Sequence, residues 1–469
     1  MQSPTDAPPT PGGLHRLAHW HEDVAVVAFW RAWLGWALRW LTPRRRRTIL
    51  AAGAVGFGIY YPFRAMTKAG LRDPSDPASW LATALVIGAL FGVLWAYYRA
   101  AVSFARLPAW VRRHPQVSLH LSFWAFLSLL WLALPAAGIT RTIGLGIAIV
   151  IPFLIWRLGY LLLSAQRGRM AGTGFGDHLM YLWPAYGGTE TPYGKGLDYL
   201  SRNEARDEEA LARSQLAGIK LFVLAGLWSL LLDLMSTLVY GDLNGPLGDV
   251  LGGFHLGVPR LNHLLQQSSG ASPGLAWASI YCELIWQVLR LAVRGHVIIG
   301  TLRLFGFNVF RNTYKPLLAT TILEFWNRYF YYFKELLVEF FFMPVFAKWF
   351  RQRAALRMFA AVFAAAFVGN MYYHLLDLGE ALALADSDTL WATLQSRLLY
   401  CFLLALGIFV SMRRTQRQVR KAFLPALPQQ IVRLWLVWTF YAVIHIWAQK
   451  TAASFVQRTE FFASLFGIT

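Results

Sequence analysis

The sequence predicts an all-α polytopic integral membrane protein, with about ten transmembrane helices plus re-entrant and interfacial helices. Three observations predict it. Hydrophobic residues fill 57% of the 469 positions and charged residues only 14%, about half the charge of a soluble domain. The apolar residues gather into runs suited to about 30 Å of hydrocarbon, which takes about 20 helical residues to cross. Aromatics reach 16%, with 21 Trp, as expected where rings collect at membrane–water interfaces.

Residues 1–47 read as a polar N-terminus and an interfacial helix. The first 22 residues are Pro-rich, carry His15, His19 and His21 and lack an apolar signal core, so the first spans are expected to direct insertion themselves. Residues 24–41 are apolar on one side and carry Arg31, Arg39 and four Trp, the pattern of an interfacial helix or a marginal span. Arg44, Arg45, Arg46 and Arg47 follow and mark the cytoplasmic side. Within an N-terminal membrane group, 48–165, spans are predicted over 48–63, 80–98, 119–139 and 143–163. The first is short and must be extended or thin the bilayer to cross. Arg106, Arg112 and Arg113 between the second and third fit a return to the cytoplasm.

The remaining core, 166–455, opens with the longest polar stretch, 166–215, where a Gly-rich semi-apolar piece (175–196) precedes a charged run (202–213). Spans resume at 216–240, and a Gly-rich loop with a surface helix over 258–265 follows. Residues 275–307 are too long for one straight crossing and contain Glu283, Arg290, Arg294 and His296; residues 318–346 contain Glu324, Arg328, Lys334, Glu335 and Glu339. Both are expected to be bent or re-entrant pieces lining a cavity, since irregular backbone survives at membrane depth only where protein surrounds it. Spans over 358–376, 390–412 and 434–447 complete the set, and residues 456–469 form a tail. Arg413, Arg414, Arg417, Arg420 and Lys421 mark another cytoplasmic loop. The absence of a fixed-period repeat disfavours a repeat-built transporter.

The net charge is +20, with the basic residues scattered between apolar spans. That distribution favours topology and contact with anionic membrane lipids over nucleic-acid binding. Cys282 and Cys401 are the only cysteines, which excludes a disulfide framework; no metal-ligand spacing is evident.

Ionisable groups at membrane depth cost several kcal/mol unless they face a cavity or a partner. Asp233, Glu283, Arg294, His296, Glu324, Arg328, Glu335 and His374 either face one polar cavity or pair to hold the bundle together. His374 ends an otherwise uncharged run and precedes Asp377. A neutral imidazole there can take a proton from a hydroxyl, as general-base chemistry requires; it can equally be a structural histidine bonded to a neighbouring helix.

Order and spacing add a further reading. The turn Gly300-Thr-Leu-Arg-Leu-Phe-Gly306-Phe307, the stretch Arg311-Asn-Thr-Tyr-Lys-Pro316, the motif Glu324-Phe-Trp-Asn-Arg328 and the later Val368-Gly-Asn-Met-Tyr-Tyr-His374 resemble the membrane-bound O-acyltransferase family. The likeness is greatest to its bacterial branch, which acylates cell-envelope polymers. Leu182-Trp-Pro-Ala-Tyr-Gly-Gly-Thr-Glu190 resembles the family's Pro-containing loop, and 434–447 its closing helix. The likeness extends over about 174–455, carried by several weak motifs in consistent order. The sequence departs from the pattern at Phe330, where the family has a second polar residue, and at His296, where an acidic residue is common.

The resemblance implies acyl transfer from a cytoplasmic thioester donor, acyl-CoA or an acyl carrier protein, to a hydroxyl of an envelope polymer, lipid or small molecule. It makes His374 the general base and Asn327 and Arg328 the oxyanion donors, with Glu324 orienting Arg328. Glu324, Trp326, His296, Trp183 and Lys195 are the expected substrate contacts, with Tyr193 beside the donor's phosphates or carrier. No bound cofactor or metal is implied. The implied setting is the bacterial inner membrane, with an envelope-synthesis protein as partner. A transporter or flippase, or a non-catalytic scaffold of the same fold, are the alternatives; loss of acylation on replacing His374 separates them.

Overall fold

The computed structural model describes residues 19–133, 138–170, 172–188, 190–244, 247–248, 250, 253–267, 272–418 and 427–468. The stretch 1–18 with His15, and Arg420 and Lys421, lie outside the described residues. The described elements are helical, apart from one isolated backbone bridge, Glu204 to Phe307.

Helix α1 (Val24–Trp40) is capped by Asp23, whose carboxylate accepts from the amides of Ala25 and Val26. Its Phe29, Trp33, Trp36 and Trp40 are exposed, whereas Val27 and Leu38 pack against Ala212 and Leu216. This is the disposition of an interfacial helix docked on a bundle. Helix α2 (Pro43–Lys68) runs for 26 residues, about 39 Å. The predicted shortfall disappears because Thr42 caps the helix at Arg45 and the Arg-rich turn is itself helical. Helices α3 (Pro77–Val102), α4 (Pro115–Ala133) and α5 (Ile139–Gln166) follow. Helix α5 is the axis of the fold: most of its apolar stretch is buried by other helices.

A short helix, α6 (Phe175–Leu182), precedes α7 (Glu208–Leu234), which continues as a π turn to Val239. Helix α8 (Pro273–Leu304) is a single 32-residue helix. The bent or re-entrant form expected for 275–307 is therefore corrected: α8 lies antiparallel along α7, and glycines hold the pair close. A Cβ on Gly218 would stand 2.8 Å from the carbonyl oxygen of Gly300.

The segment predicted over 318–346 is broken. Helix α9 (Ile322–Tyr329) stops at Phe330, whose extended backbone (φ −137°, ψ 78°) turns the chain into α10 (Tyr331–Leu337). A π turn (Val338–Phe342) and a short helix (Met343–Lys348) continue it. Helix α11 (Ala354–Leu376) contains a second π turn, Ala364–Gly369. Helices α12 (Ser387–Gln418), α13 (Leu427–Ile444) and α14 (Phe455–Ser464) complete the chain. Eight helices among the described residues are long and apolar enough to cross a membrane, namely α2 to α5, α7 and α11 to α13. The chain is an all-α polytopic integral membrane protein.

Two faces are recognisable from contacts at the helix ends. On the basic face, Arg46 donates to the carbonyl of Ala205, Arg47 pairs with Glu204, and the amide of Ala205 donates to the carbonyl of Gly306. These bonds gather the start of α2, the start of α7 and the end of α8. On the opposite face, Lys450 pairs with Asp377 at 3.1 Å and Trp131 donates to the carbonyl of Leu382 at 2.8 Å.

Candidate functional site

The site begins with a buried cation on the central helix. Arg157 is fully buried on α5 and donates to the carbonyls of Tyr181 at 3.3 Å and Thr191 at 3.5 Å. Its guanidinium lies over the Phe153 ring, 4.7 Å from the centroid. A buried charge survives only with such partners, and here they fix both ends of the loop between α6 and residue 191. Within that loop Trp183 is 0% exposed and stacks on Phe153 at 5.5 Å, with Tyr61 6.1 Å away. Gly187 turns the chain in the left-handed region (φ 96°), which a side chain would resist.

This loop meets α11. The hydroxyls of Thr191 and Tyr373 are hydrogen-bonded at 2.7 Å. The π turn before them packs against the one after α10: a Cβ on Gly369 would stand 2.6 Å from the Phe341 ring. π turns are rare and recur at functional sites because they displace the residues that follow. The residue so placed is His374, half-buried, with Tyr373 beside it and Arg397 and Lys450 as its charged neighbours. His445 also lies within reach of Arg397. One turn before His374, Asn370 is 1% exposed and neither of its side-chain polar atoms has a hydrogen bond.

A cleft of about 540 Å³ adjoins this turn on the opposite face, lined in part by Tyr61, Arg64, Lys68, Glu190, Asp377 and Glu380. Burial, reinforced by the negative charge of Asp377, pushes the carboxyl of Glu190 above the usual carboxylate range. The cleft thus offers carboxyls of unequal acidity, cations at its rim and an aromatic wall, which suits a polyhydroxylated guest. No three His, Cys, Asp or Glu side chains among the described residues lie close enough to hold a metal ion.

The residues singled out in the sequence are distributed as follows. Trp326 is 7% exposed and packs on Phe333 at 6.0 Å, and Phe333 packs on Tyr373 at 4.6 Å. Helix α9 therefore reaches the histidine's turn through two rings. Glu324 pairs with Arg328 at 2.5 Å and accepts from the Thr320 amide at 2.8 Å. The Arg328 guanidinium also reaches the Lys315 carbonyl, at 3.5 Å. Asn327 is exposed. Neither Asn327 nor Arg328 has a contact with His374 among the described residues. Lys195 is ion-paired with Glu335 and lies 5.4 Å from the Tyr199 ring; Tyr193 packs on Phe330 and Tyr332. His296, 3% exposed, lines a separate groove between α7 and α8.

The expectation that eight ionisable groups share one cavity is therefore corrected. Glu335 is neutralised by Lys195 and Lys334, Glu324 by Arg328, and Glu283 accepts from Gln287 at 2.7 Å, while Arg294 is exposed. Local pairing within a turn or two satisfies charge more readily than convergence from four helices. Arg157, Arg397, His445 and Glu190 were not singled out. For Arg157 and Arg397 a signal was present: each is a lone cation inside an apolar run. The acidity of Glu190 has no sequence signal, since it depends on how deeply its loop is drawn in. No known protein family matches the chain, and neither does any curated protein.

Proposed function

We propose that the chain is a membrane-bound O-acyltransferase that moves an acyl group from a thioester donor on the basic, cytoplasmic face to a hydroxyl acceptor entering by the opposite cleft. One observation carries the reading. The segments on which the family resemblance rests are distant in sequence, yet 182–190, the α9 motif and 368–374 meet at one turn of α11. Thr191 bonds Tyr373, Trp326 reaches it through Phe333, and His374 follows directly.

In the proposed reaction the imidazole of His374 takes the proton of the acceptor hydroxyl as its oxygen bonds to the thioester carbonyl carbon. The tetrahedral oxyanion collapses, the carbon–sulfur bond breaks, and the thiolate leaves with the proton from the imidazolium. Charge on the oxyanion falls within the field of Arg397, which takes the role the resemblance gave to Asn327 and Arg328. The natural setting is a bacterial inner membrane, with an envelope polymer, lipid or small hydroxylated molecule as acceptor and an envelope-synthesis protein as partner.

A scaffold reading is favoured by one feature: Phe330, where the family has a polar residue, packs between Tyr193 and Phe333 in the aromatic core. The deciding experiment is acceptor acylation with radiolabelled thioester donors, comparing purified wild type with His374→Ala and His374→Gln. Both variants should insert normally and lose transfer by at least about a thousandfold, the upper range of general-base contributions. Transfer at the wild-type rate in either variant would sink the mechanism.

A further inference from the structure

A second site lies away from His374. Between α7 and α8 runs a groove of about 860 Å³. Its walls are apolar, with Val223, Leu227 and Leu231 on α7 and Ile285 and Leu289 on α8. Val223 is 53% exposed and Leu227 52%, so the groove opens sideways, toward the bilayer. From Lys220 to Leu231 it follows eleven residues of helix, about 16 Å, which is about the depth of one hydrocarbon leaflet.

One end is cationic. Lys220, Arg311 and Lys315 line it, Arg303 lies close by, and Glu22 is the acid in the neighbourhood of Lys220. Among the described residues Arg311 and Lys315 form no ion pair; they lie 4.4 Å and 5.6 Å from the Tyr314 ring instead. His296 contributes a buried Nδ1 that makes no hydrogen bond of good geometry, its near neighbour being the Ala292 carbonyl one turn back. The depth of this end is set by the interfacial helix. Trp30 of α1 donates to Gln215 at 3.0 Å, and Lys220 lies 3.4 Å from the His21 ring, just before α1. The cations therefore stand at the level of lipid phosphates on the basic face.

We propose that this groove binds one anionic phospholipid, with an acyl chain laid along α7 and α8 and the phosphate held by Lys220, Arg311 and Lys315. Like charges clustered at an apolar mouth repel one another until an anion joins them, and basic recesses between transmembrane helices are suited to acidic headgroups. A soluble thioester would share this chemistry. The sideways opening and the interfacial depth select a lipid already in the leaflet.

The test is native mass spectrometry of the purified full chain with dioleoylphosphatidylglycerol or dioleoylphosphatidylcholine added. Wild type should retain the anionic lipid, and the double variant Arg311→Gln/Lys315→Gln should bind it about tenfold more weakly, the scale expected for two surface cations. Leu227→Trp, which fills the groove without touching charge, should weaken it similarly. Arg351→Gln, an exposed cation elsewhere on the basic face, should not. Equal retention of both lipids, or loss in Arg351→Gln as large as in the double variant, overturns the proposal. So does displacement of the lipid by palmitoyl-coenzyme A at equimolar concentration, which would make the groove a site for a soluble donor. None of these outcomes depends on acyl transfer, so failure here is distinct from failure at His374.

Discussion

Arg157→Met removes the buried cation that ties the loop after α6 to the central helix. The native guanidinium donates to two carbonyls at 3.3 and 3.5 Å and lies 4.7 Å from the Phe153 centroid. Charge-assisted hydrogen bonds are worth about 1.5–3 kcal/mol, and at these lengths the lower end applies, giving about 3 kcal/mol for the two. A desolvated cation–π contact adds about 1 kcal/mol. Methionine has no charge to desolvate, which returns about 2 kcal/mol. The net loss is about 2 kcal/mol, and it is local. Hydrogen exchange followed by mass spectrometry should therefore speed about thirtyfold at the amides of 181–196, with little change in the peptide covering 77–102. Arg157→Lys should recover part of the protection, since an ammonium cannot serve two separated carbonyls as a planar fork does. Unaltered exchange over 181–196, or acceleration spread evenly over both peptides, would refute the assignment of Arg157 as the tie.

Glu190 has a raised carboxyl because of burial and the nearby charge of Asp377. Between the ordinary carboxylate value and that raised value, the folded state binds more protons than the unfolded state, so stability falls as pH rises through the window. Glu190→Gln should flatten this part of the stability–pH curve measured by thermal unfolding in detergent. An unchanged slope would show that Glu190 does not carry it. Gly369→Val should overpack the contact with Phe341 and lower stability by about 1–3 kcal/mol, read by urea unfolding in bicelles; a neutral result would mean that the two π turns are not tightly packed. Tyr373→Phe removes the 2.7 Å bond to Thr191, worth about 1 kcal/mol. On the acyltransferase reading it should lower kcat about fivefold without abolishing transfer, and a KM-only change would remove Tyr373 from the positioning of His374.

Much of the architecture was legible because hydrophobic run length is read directly from the chain. The spans around 80–98, 143–163 and 390–412 lie inside the observed helices α3, α5 and α12. Run length misled at α8, where Glu283, Arg290, Arg294 and His296 suggested a break and the helix continues. Those charges lie on a helix whose partner approaches through Gly218 and Gly300, so the backbone has no reason to bend. The break at Phe330 was legible, since acidic and basic residues on both sides of an aromatic cluster cannot all face lipid. At the site, His374 was visible as a lone titratable group. The loop bonds that surround it were not, because carbonyls of Tyr181 and Thr191 are indistinguishable in sequence from any others. Arg157 could have been found by asking what neutralises a cation in the middle of 143–163.

The π turn at Ala364–Gly369 gives this part of the chain a constraint on counting rather than on chemistry. A π turn holds one residue more than the α-helix around it has room for. Deleting any one of Ala364, Ala365 or Ala366 would leave the segment just as apolar and just as able to span. It would nevertheless let the helix relax to regular spacing and swing everything downstream by about 100°, carrying His374 off the turn where Thr191 and Phe333 converge. Substitutions among these alanines should be absorbed where a deletion is not, so the tolerance of this stretch is set by its length.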